Sequence, residues 1–504
     1  MIGNKIIFIG FVILLVMVGK TSTSQIVEDL DTIPSSYSAE FGISTVITSG
    51  DAVPFWMRSQ RYGAVPLDGL SAVLEGRLKK HYSKINPVKF DWGGNLDIRI
   101  NAGNRSHVQI IEAYVKARYS IFQLKVGRER EFHGLVDSVL SSGSFSLSGN
   151  ALGIPKIELS VPEYKNLPFL KKLIAFKGDV SYGTMGQVPI QFGDNKGDRF
   201  QSFYHHLTFS GRIGKPSWKI KFEAGINHDV IWGSDKLIFG DQYSLSNIET
   251  LFYVFTGKKF KGSKDISKIG NHLGSIDFAT EYNFDNLDVR LYHQFLYDKG
   301  ALVYLANVKD GLTGVSLTNR SDKKSKVQWR KILFEFVYTK DQAGQNGAKF
   351  TPSGPEYYYN HAVYTTGFSY KGLGLGMPLI TPAHLAQSGQ ASDPSNYFIN
   401  NRIVALHVGL TGSFKDWDII LKSTYSKNFG DYRTSGPKEQ WFNGKRVVQT
   451  FNFGKFNPVN QFSGYVEASK AIKNGYHLGF VLANDHGGLL NNSIGGIIKL
   501  SKKW

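Results

Sequence analysis

The residues best suited to bind a ligand lie in segments that we read as long loops between strands. Aromatic faces stack on sugar rings through the sugar C–H groups. Basic side chains pair with uronate or phosphate groups. The alternative is that the tryptophan nearest a strand end belongs to an aromatic belt at a membrane interface, with the cations meeting lipid phosphates. The glycan interpretation predicts a site for an acidic polysaccharide. Its residues are Trp232, Tyr243, Tyr432, Arg433, Lys438, Trp441 and Lys445.

The common catalytic and cofactor motifs are missing from the sequence. It contains no GxSxG, HExxH or Walker A pattern. It has no cysteine, which excludes thiolate zinc sites and disulfides. His205 and His206 are adjacent, so on a strand they face opposite sides and are poorly placed to share a metal. His228 and Asp229 form a local pair without a nearby nucleophile. We therefore predict no enzymatic activity, no cofactor and no metal site.

Composition favours strands and turns over helices. The 504 residues include 25 Tyr, 35 Phe, 8 Trp and 54 Gly, but only 16 Pro. No interior run reaches the roughly 18 apolar residues that a membrane-spanning helix needs. A helical membrane protein is thereby excluded, and the chain is expected to be all-β.

The N-terminus has the pattern of an export signal. Lys5 precedes the apolar run Ile6–Val18, which suits a signal-peptide core, and small residues lead up to Gln25. We predict a signal peptide over 1–24 and a single domain over 25–504. The leader carries Lys5 and Lys20 and no acid, so the formal charge falls from +18 to +16. An exported chain of this charge is expected to meet anionic polysaccharide, lipid or lipopolysaccharide, and not nucleic acid.

Alternation with period two recurs along the chain. In VKFDWGGNLDIRINA, Phe90, Trp92, Leu96 and Ile98 share one face, and charged or amide side chains occupy the other. A soluble sandwich and a transmembrane barrel both produce this pattern. The lengths of the connections separate the two. We predict eighteen strands, near 40–49, 68–82, 88–102, 107–119, 121–128, 157–162, 172–185, 200–213, 217–231, 271–284, 286–297, 327–339, 361–371, 402–414, 417–427, 461–472, 476–484 and 494–504.

The connections between these strands alternate between short and long. One set has nine residues or fewer except at 340–360, and most of the other set, which includes 186–199 and 298–326, has fourteen or more. Short turns on one rim and long loops on the other are typical of bacterial outer-membrane barrels. The sequence therefore predicts a transmembrane antiparallel β-barrel of about eighteen strands in the outer membrane. The last strand, ending at Trp504, is expected to close the barrel against the first and to place this ring at the inner interface.

The segment GRERE alternates charges at the end of one predicted strand. Arg128 and Arg130 share one side, and Glu129 and Glu131 share the other. They are expected either to contact an anion at the mouth or to form a charge network in the lumen that fixes the next loop. That loop, 129–156, is rich in Ser and Gly and is able to fold into the lumen and close it.

Seven segments resemble the capsule assembly Wzi family in its Bacteroidetes-like form. They follow the order expected for that family and span most of the chain. Each motif is short and Gly-rich, so the resemblance depends on the whole set. The segments are PFWMRSQRYG (54–63), LKVGREREFHG (124–134), LSGNALGIPKIELS (147–160), SYKGLGLGMPL (369–379), NRIVALHVGLTG (401–412), TYSKNFGDY (424–432) and LANDHGGLLNN (482–492).

The resemblance implies an outer-membrane barrel of eighteen strands that acts as a lectin and helps to hold capsular polysaccharide at the cell surface. It also implies that the barrel assembly machinery reads the final strand ending at Trp504. No glycan-contacting residue carries over, because no loop aligns with a binding motif. The alternative function is a porin or channel for anionic solutes.

Overall fold

The computed structural model describes residues 37–83, 89–104, 106–260, 268–298, 300–321, 325–343, 356–393, 395–435, 439–442, 445–448 and 455–504. The predicted leader lies outside these residues. Eighteen strands form one antiparallel sheet that closes on itself. In chain order, β1 to β18 are Tyr37–Thr48, Ser71–Lys80, Phe90–Gly103, His107–Tyr119, Phe122–Arg128, Lys156–Asn166, Ile174–Phe192, Asn195–Ile213, Ile220–Trp232, Asn271–Asn283, Leu287–Tyr297, Gly311–Asn319, Val327–Tyr338, Ile403–Phe414, Trp417–Asn428, Val459–Ala471, Tyr476–Gly487 and Ser493–Lys503.

The barrel closes between its first and last strands, as predicted. β1 and β18 pair from Glu40 opposite Lys503 to Thr48 opposite Gly495. The ladder continues beyond β18, where the Trp504 N–H donates to the Ala39 carbonyl at 2.9 Å. Closure pairs the backbone groups of both strands, so neither is left as an open edge.

The period-two pattern separates an apolar outer face from a polar inner one. On β3, Trp92, Leu96 and Ile100 are exposed on the outside, whereas Asp97 and Asn101 are buried inside. Lipid accepts the first set and excludes the second. At the periplasmic rim Trp504 is exposed on the outer face, and it lines a shallow groove with Tyr37, Leu78 and Trp92.

The number of strands was predicted correctly, but one predicted strand was wrong and one real strand was missed. Residues 361–371 are not part of the barrel; only Ser369–Tyr370 is extended there, in a short pair with Leu373–Gly374. The missed strand is β12, which pairs with β11 and β13. With β12 in place, the connection from β12 to β13 becomes the short one on the periplasmic side, and the connection from β13 to β14 becomes the long one on the outer side. The anomalous connection 340–360 thereby disappears.

The predicted outer loop 186–199 was also wrong. β7 and β8 continue as a hairpin of two 19-residue strands that turns at Gly193 and Asp194. Irregular pairing beside Gly186 and Pro189 lets the strands extend beyond the regular ladder.

Helices are few and confined to the connections. α1 to α4 are Phe55–Arg58, Asp235–Phe239, Asn247–Thr256 and Tyr432–Ser435. α3 begins with a capping box, in which the Ser246 hydroxyl accepts from the Glu249 N–H and the Glu249 carboxylate accepts from the Ser246 N–H. Among the described residues, no helix has both the length and the apolarity to cross a membrane. Single 3₁₀ turns occur at Pro168–Leu170, Gly240–Gln242, Ala301–Tyr304, Ala383–Leu385 and Lys473–Gly475, and further two-stranded pairs join Thr381–Pro382 to Phe398–Asn400 and Glu439–Phe442 to Lys445–Val448.

The loop after β5 lies inside the barrel, buried between residues 140 and 154. Its serines match polar side chains that the wall directs inward. The Ser142 N–H and hydroxyl both donate to Glu335 at 2.6 Å. The Ser146 hydroxyl donates to Asp229 at 2.7 Å. A polar wall is therefore satisfied by a polar loop, as burial of such groups requires.

A second segment, 356–382, packs against the first inside the lumen. The Tyr359 hydroxyl donates to the Phe145 carbonyl at 2.7 Å and accepts from the Met377 N–H at 2.8 Å. Gly376 is required at this contact, because an added Cβ would lie 2.0 Å from the Tyr359 hydroxyl. α1 contributes a third buried segment, whose Phe55 N–H donates to Asp485 at 2.7 Å. Together these segments form the plug of the barrel.

The outer face should respond to charge according to depth. Phe334, in the middle of β13, and Val327, at its periplasmic end, are both exposed on that face. We expect Phe334→Arg to lower the free energy of unfolding by about 2–4 kcal/mol and Val327→Arg by about 0–1 kcal/mol, because only the first places a cation in the hydrocarbon. Reversible unfolding in lipid vesicles measures both, and equal losses would contradict this assignment of depth.

The plug should block ion flow. We expect the intact chain to show no steady conductance in planar bilayers. Replacing residues 138–152 by a Gly-Ser linker of equal length removes the buried anchors Leu140, Phe145 and Leu147, so conductance steps should appear. The heat-dependent mobility of the barrel on gels controls for folding. A steady conductance of the intact chain would disprove closure.

Candidate functional site

An aromatic and basic cluster lies at the outer mouth, where the loop after β13 meets the loop after β15. Tyr432, the first residue of α4, is only 2% exposed. The Arg402 guanidinium lies over its ring at 5.4 Å, and the Tyr357 ring meets it edge-on at 6.4 Å. We call Tyr357, Arg402, Tyr432 and Arg433 the mouth cluster.

Arg433 is the exposed member of the mouth cluster. Its guanidinium lies 5.7 Å from the centre of the Tyr357 ring and donates to Asp393 at 2.9 Å and to the Ser395 hydroxyl at 3.0 Å. Although burial opposes the shifts, these contacts hold the pKa of Asp393 below its ordinary value and raise the pKa of Arg433. The Arg433 side chain remains 40% exposed, so a fixed cation beside an aromatic face is open to solvent.

The sequence around Asp431 fixes these side chains. Asp431 and Thr434 bond reciprocally: the Thr434 N–H donates to the Asp431 carboxylate at 2.8 Å, and the Asp431 N–H donates to the Thr434 hydroxyl at 3.1 Å. Asn396 donates to the same carboxylate at 2.9 Å and so joins the two loops. Gly430 precedes this turn with φ +78°, where an added Cβ would meet Phe456 at 2.6 Å.

A second cation–aromatic group borders the cluster. The Lys340 and Lys427 ammonium groups lie 4.1 Å and 5.7 Å from the centre of the Phe429 ring. Aromatic faces with fixed cations beside them suit a ligand that offers both apolar C–H surface and negative charge.

Trp232 and Tyr243, which the sequence also nominated, lie away from this cluster. Trp232 lies at the end of β9, five strands from β14 around the barrel, and packs at a tilt against the Phe203 ring, 4.9 Å away. The Tyr243 hydroxyl bonds to Thr250 at 2.6 Å under α3. Trp441 and Lys445 lie on the two strands of the outer hairpin, and Lys438 lies outside the described residues.

The four charges of the GRERE segment all meet partners inside the barrel. Arg128 donates to the Tyr370 hydroxyl at 3.1 Å, and Glu129 pairs with Lys125. Arg130 pairs with Asp97 at 2.6 Å, and Glu131 pairs with Lys156. These ion pairs tie the start of the plug loop to the wall.

Below the plug the lumen keeps a charged cavity of about 420 Å³. Its cations are mostly neutralised: Arg61 pairs with Glu467 at 2.8 Å and Arg99 with Glu75 at 3.1 Å. This lining was predictable from the sequence of β2 and β3, because charged residues alternate there with apolar ones and so face inward. The cavity is lined by Glu40, Arg61, Arg77, Glu75, Arg99, Arg130, Glu467, Lys499 and Lys503, among others.

Sequence reasoning missed Tyr357, Asp393 and Arg402. Arg402 was placed in a strand, although it lies just before β14 and bonds to the Lys340 carbonyl at 2.9 Å. The run Tyr357–Tyr359 was the available signal, because three consecutive tyrosines in a loop indicate either buried packing or a binding surface. Here Tyr358 and Tyr359 are buried in the plug, and Tyr357 lies in the mouth cluster.

Comparison with known proteins gives a consistent assignment. The family model for the capsule assembly protein Wzi matches residues 61–391, and no curated protein sequence matches the chain. Among solved structures, the fold is similar to that of Escherichia coli Wzi, described as an outer membrane protein involved in group 1 capsule assembly and a carbohydrate-binding β-barrel. The two are 11% identical, with a TM-score of 0.54 over 92% of this chain and 83% of that one.

Two other solved barrels are similar at lower scores. OccAB2 of Acinetobacter baumannii is 11% identical, with a TM-score of 0.46 over 93% of this chain and 98% of that one. OprD of Pseudomonas aeruginosa is 8% identical, with a TM-score of 0.43 over 94% and 95%. The family match covers more than half of the 504 residues and agrees with the closed barrel of eighteen strands. The chain is an outer-membrane protein and belongs to the capsule assembly protein Wzi family.

Proposed function

We propose that this chain binds an acidic surface polysaccharide at its outer mouth and thereby holds capsule on the cell, without enzymatic turnover. The single observation that carries the proposal is the partly exposed Arg433 side chain, whose guanidinium is fixed beside the Tyr357 ring. A sugar ring stacked on the tyrosine would place a uronate or phosphate against the guanidinium. The carbohydrate binding described for E. coli Wzi supports the same ligand class.

The other nominated residues extend this proposal around the mouth. Trp441, Lys438 and Lys445 belong to the loop that follows the mouth cluster and would lengthen the contact along a polymer. Trp232 and Tyr243 would form a separate contact on the far side of the rim. A chain of sugars could engage both places, because a polymer presents the same chemical group repeatedly.

The filled lumen favours binding over transport. Inward groups of the wall are occupied by plug residues, as in the bond from Phe145 N–H to Gln294 at 2.7 Å and the bond between His407 and the Leu140 carbonyl at 2.6 Å. A porin needs these groups free to line a water path. The channel alternative therefore requires the plug to leave.

The remaining partners are proposed from the outer surface. Exposed apolar residues would contact membrane lipid and lipopolysaccharide. Trp504, exposed at the inner rim, would be read with its strand by the barrel assembly machinery. We also propose that residues 1–24 form a leader and that residues 25–504 form a single mature domain.

Binding should depend on the shape of the arginine as well as its charge. We expect Arg433→Ala to weaken binding of an acidic capsular polysaccharide by about tenfold or more, because a hydrogen bond to a charged group contributes about 1.5–3 kcal/mol. Arg433→Lys should restore only part of the affinity, since lysine lacks the planar fork. Surface plasmon resonance with immobilised polysaccharide measures each variant.

Arg320→Ala is the matched control for this experiment. Arg320 is also exposed and ion-paired, with Asp288 at 2.6 Å, but it lies at the periplasmic rim. Its loss should leave binding unchanged. Equal effects of the two alanine variants would indicate general electrostatics and would count against the mouth cluster.

Capsule retention should require the site in cells. We expect deletion of the gene to release polysaccharide into the medium, and the native chain to restore cell-bound capsule. A variant with both Tyr357→Ala and Arg433→Ala should restore it poorly at equal outer-membrane abundance. Measuring cell-bound and released polysaccharide decides the matter, and full retention after deletion would refute the proposal.

A further inference from the structure

Three potential metal ligands meet inside the barrel, at the start of the plug loop. His133 belongs to that loop, Asp179 to β7 and His206 to β8. One ligand atom from each side chain lies within 4.8 Å of the others. The His206 Nε2 atom is 3.7 Å from Asp179 Oδ2, and the His133 Nδ1 atom is 3.7 Å from Asp179 Oδ1. The site is far from the mouth cluster and is not used in the proposed function.

A buried carboxylate fixes how His206 presents its nitrogen atoms. Asp229 lies 2.7 Å from His206 Nδ1 and also accepts from the Tyr204 hydroxyl at 2.5 Å and the Ser146 hydroxyl at 2.7 Å. Because Asp229 is an acceptor, Nδ1 of His206 carries a proton, which leaves Nε2 as the nitrogen whose lone pair a metal ion can take. A carboxylate that orients a histidine in this way is a common second partner at metal sites.

The lone pair of His206 has no donor to meet. His206 Nε2 and Asp179 Oδ2 are both buried, and neither has a hydrogen-bond partner among the described residues. They face each other at 3.7 Å, which is too long for a proton to bridge them in a normal hydrogen bond. A cation between these two buried acceptors would compensate both of them.

The spacing suits a small divalent ion. Two ligands about 2.1 Å from a tetrahedral zinc ion lie about 3.4 Å apart; each histidine lies 3.7 Å from one oxygen of Asp179, and all three residues offer ligand atoms within 4.8 Å of one another. Two imidazoles and one carboxylate suit zinc and related transition metals, whereas Ca²⁺ and Mg²⁺ prefer sets of oxygen ligands. We propose that His133, Asp179 and His206 bind one divalent transition-metal ion of the zinc class, with water completing the coordination.

The neighbouring charged side chains are paired with other residues and do not take the place of this ion. Lys156, the nearest basic residue on β6, pairs with Glu131 and with Glu158 at 3.2 Å rather than with Asp179. Asp179 accepts from the Thr208 hydroxyl at 2.6 Å through its other oxygen. Glu131 faces the second nitrogen of His133 at 3.9 Å. Each histidine therefore has a carboxylate near the nitrogen that faces away from Asp179.

Metal binding would fasten the plug to the wall. His133 is the only one of the three ligands on the plug loop, and the loop also reaches Asp229 through Ser146. One ion would thus join the loop to β7 and β8 at the point where the loop enters the lumen. This differs from the sequence prediction of no metal, because that prediction considered only neighbouring histidines and could not foresee that His133 meets His206.

The test uses the full chain, purified in detergent without a polyhistidine tag, dialysed against Zn²⁺ and then against buffer. Elemental analysis should find about one zinc ion per chain. Co²⁺ in its place should give the visible absorption of a tetrahedral nitrogen and oxygen site. Absence of both a retained ion and the tetrahedral cobalt spectrum would overturn the proposal, and this result needs no variant to fold.

Variants then assign the ligands. His206→Gln should lower Zn²⁺ affinity by at least tenfold, and Asp229→Asn, which leaves the three ligands in place, should lower it by about 10–100-fold. His205→Gln is the matched control, since His205 is adjacent but bonds to the Ser181 carbonyl and lies against Phe255 of α3. Gel mobility confirms that each barrel is folded. Equal affinity of His206→Gln and the native chain would refute the site.

Discussion

Every feature of this molecule depends on the pairing of backbone groups in a medium without water. A strand in lipid must bond to a neighbour on each side, so the sheet must close, and here it closes between β1 and β18. Closure fixes an outer face that has to be apolar. It also creates an interior in which polar side chains are sheltered from lipid. The polar and charged clusters described above lie in this interior and at the mouth.

That interior explains why so polar a loop is buried. Asp229, Gln294 and Glu335 project inward and would carry a large desolvation cost if they met apolar groups. The plug meets them with serine hydroxyls and backbone N–H groups. Apolar plug residues also meet the wall: the Leu140 side chain lies against Gly409, and the Trp56 ring lies 5.2 Å from the His407 ring. The wall and the plug are therefore complementary in hydrogen bonding, and aromatic packing holds the second plug segment in place, where Tyr359 meets Phe368 and Phe398.

The sequence predicted the class of fold well and the individual strands less well. Alternation and loop lengths indicated a closed barrel of eighteen strands, because lipid and closure impose both. They failed at β12, whose short Gly- and Thr-containing segment has a weak pattern, and at 361–371, where apolar and aromatic residues pack within the plug instead of facing lipid. The two errors cancelled in the count. Only the overlong turn 340–360 showed that something was misplaced.

The proposed binding site was predicted in part, for a reason that bears on specificity. Tyr432 and Arg433 are neighbours in sequence and were found together, whereas Tyr357 and Asp393 come from another loop and join them only through folding. A net charge of +18 attracts any polyanion, but exposed charges are screened within about 8 Å at physiological salt. Under the proposed function, selectivity for one glycan would instead come from a cation whose direction is fixed. Arg433 is held by Asp393 and Ser395 against an aromatic face. These contacts partly neutralise the guanidinium, and they also fix its orientation.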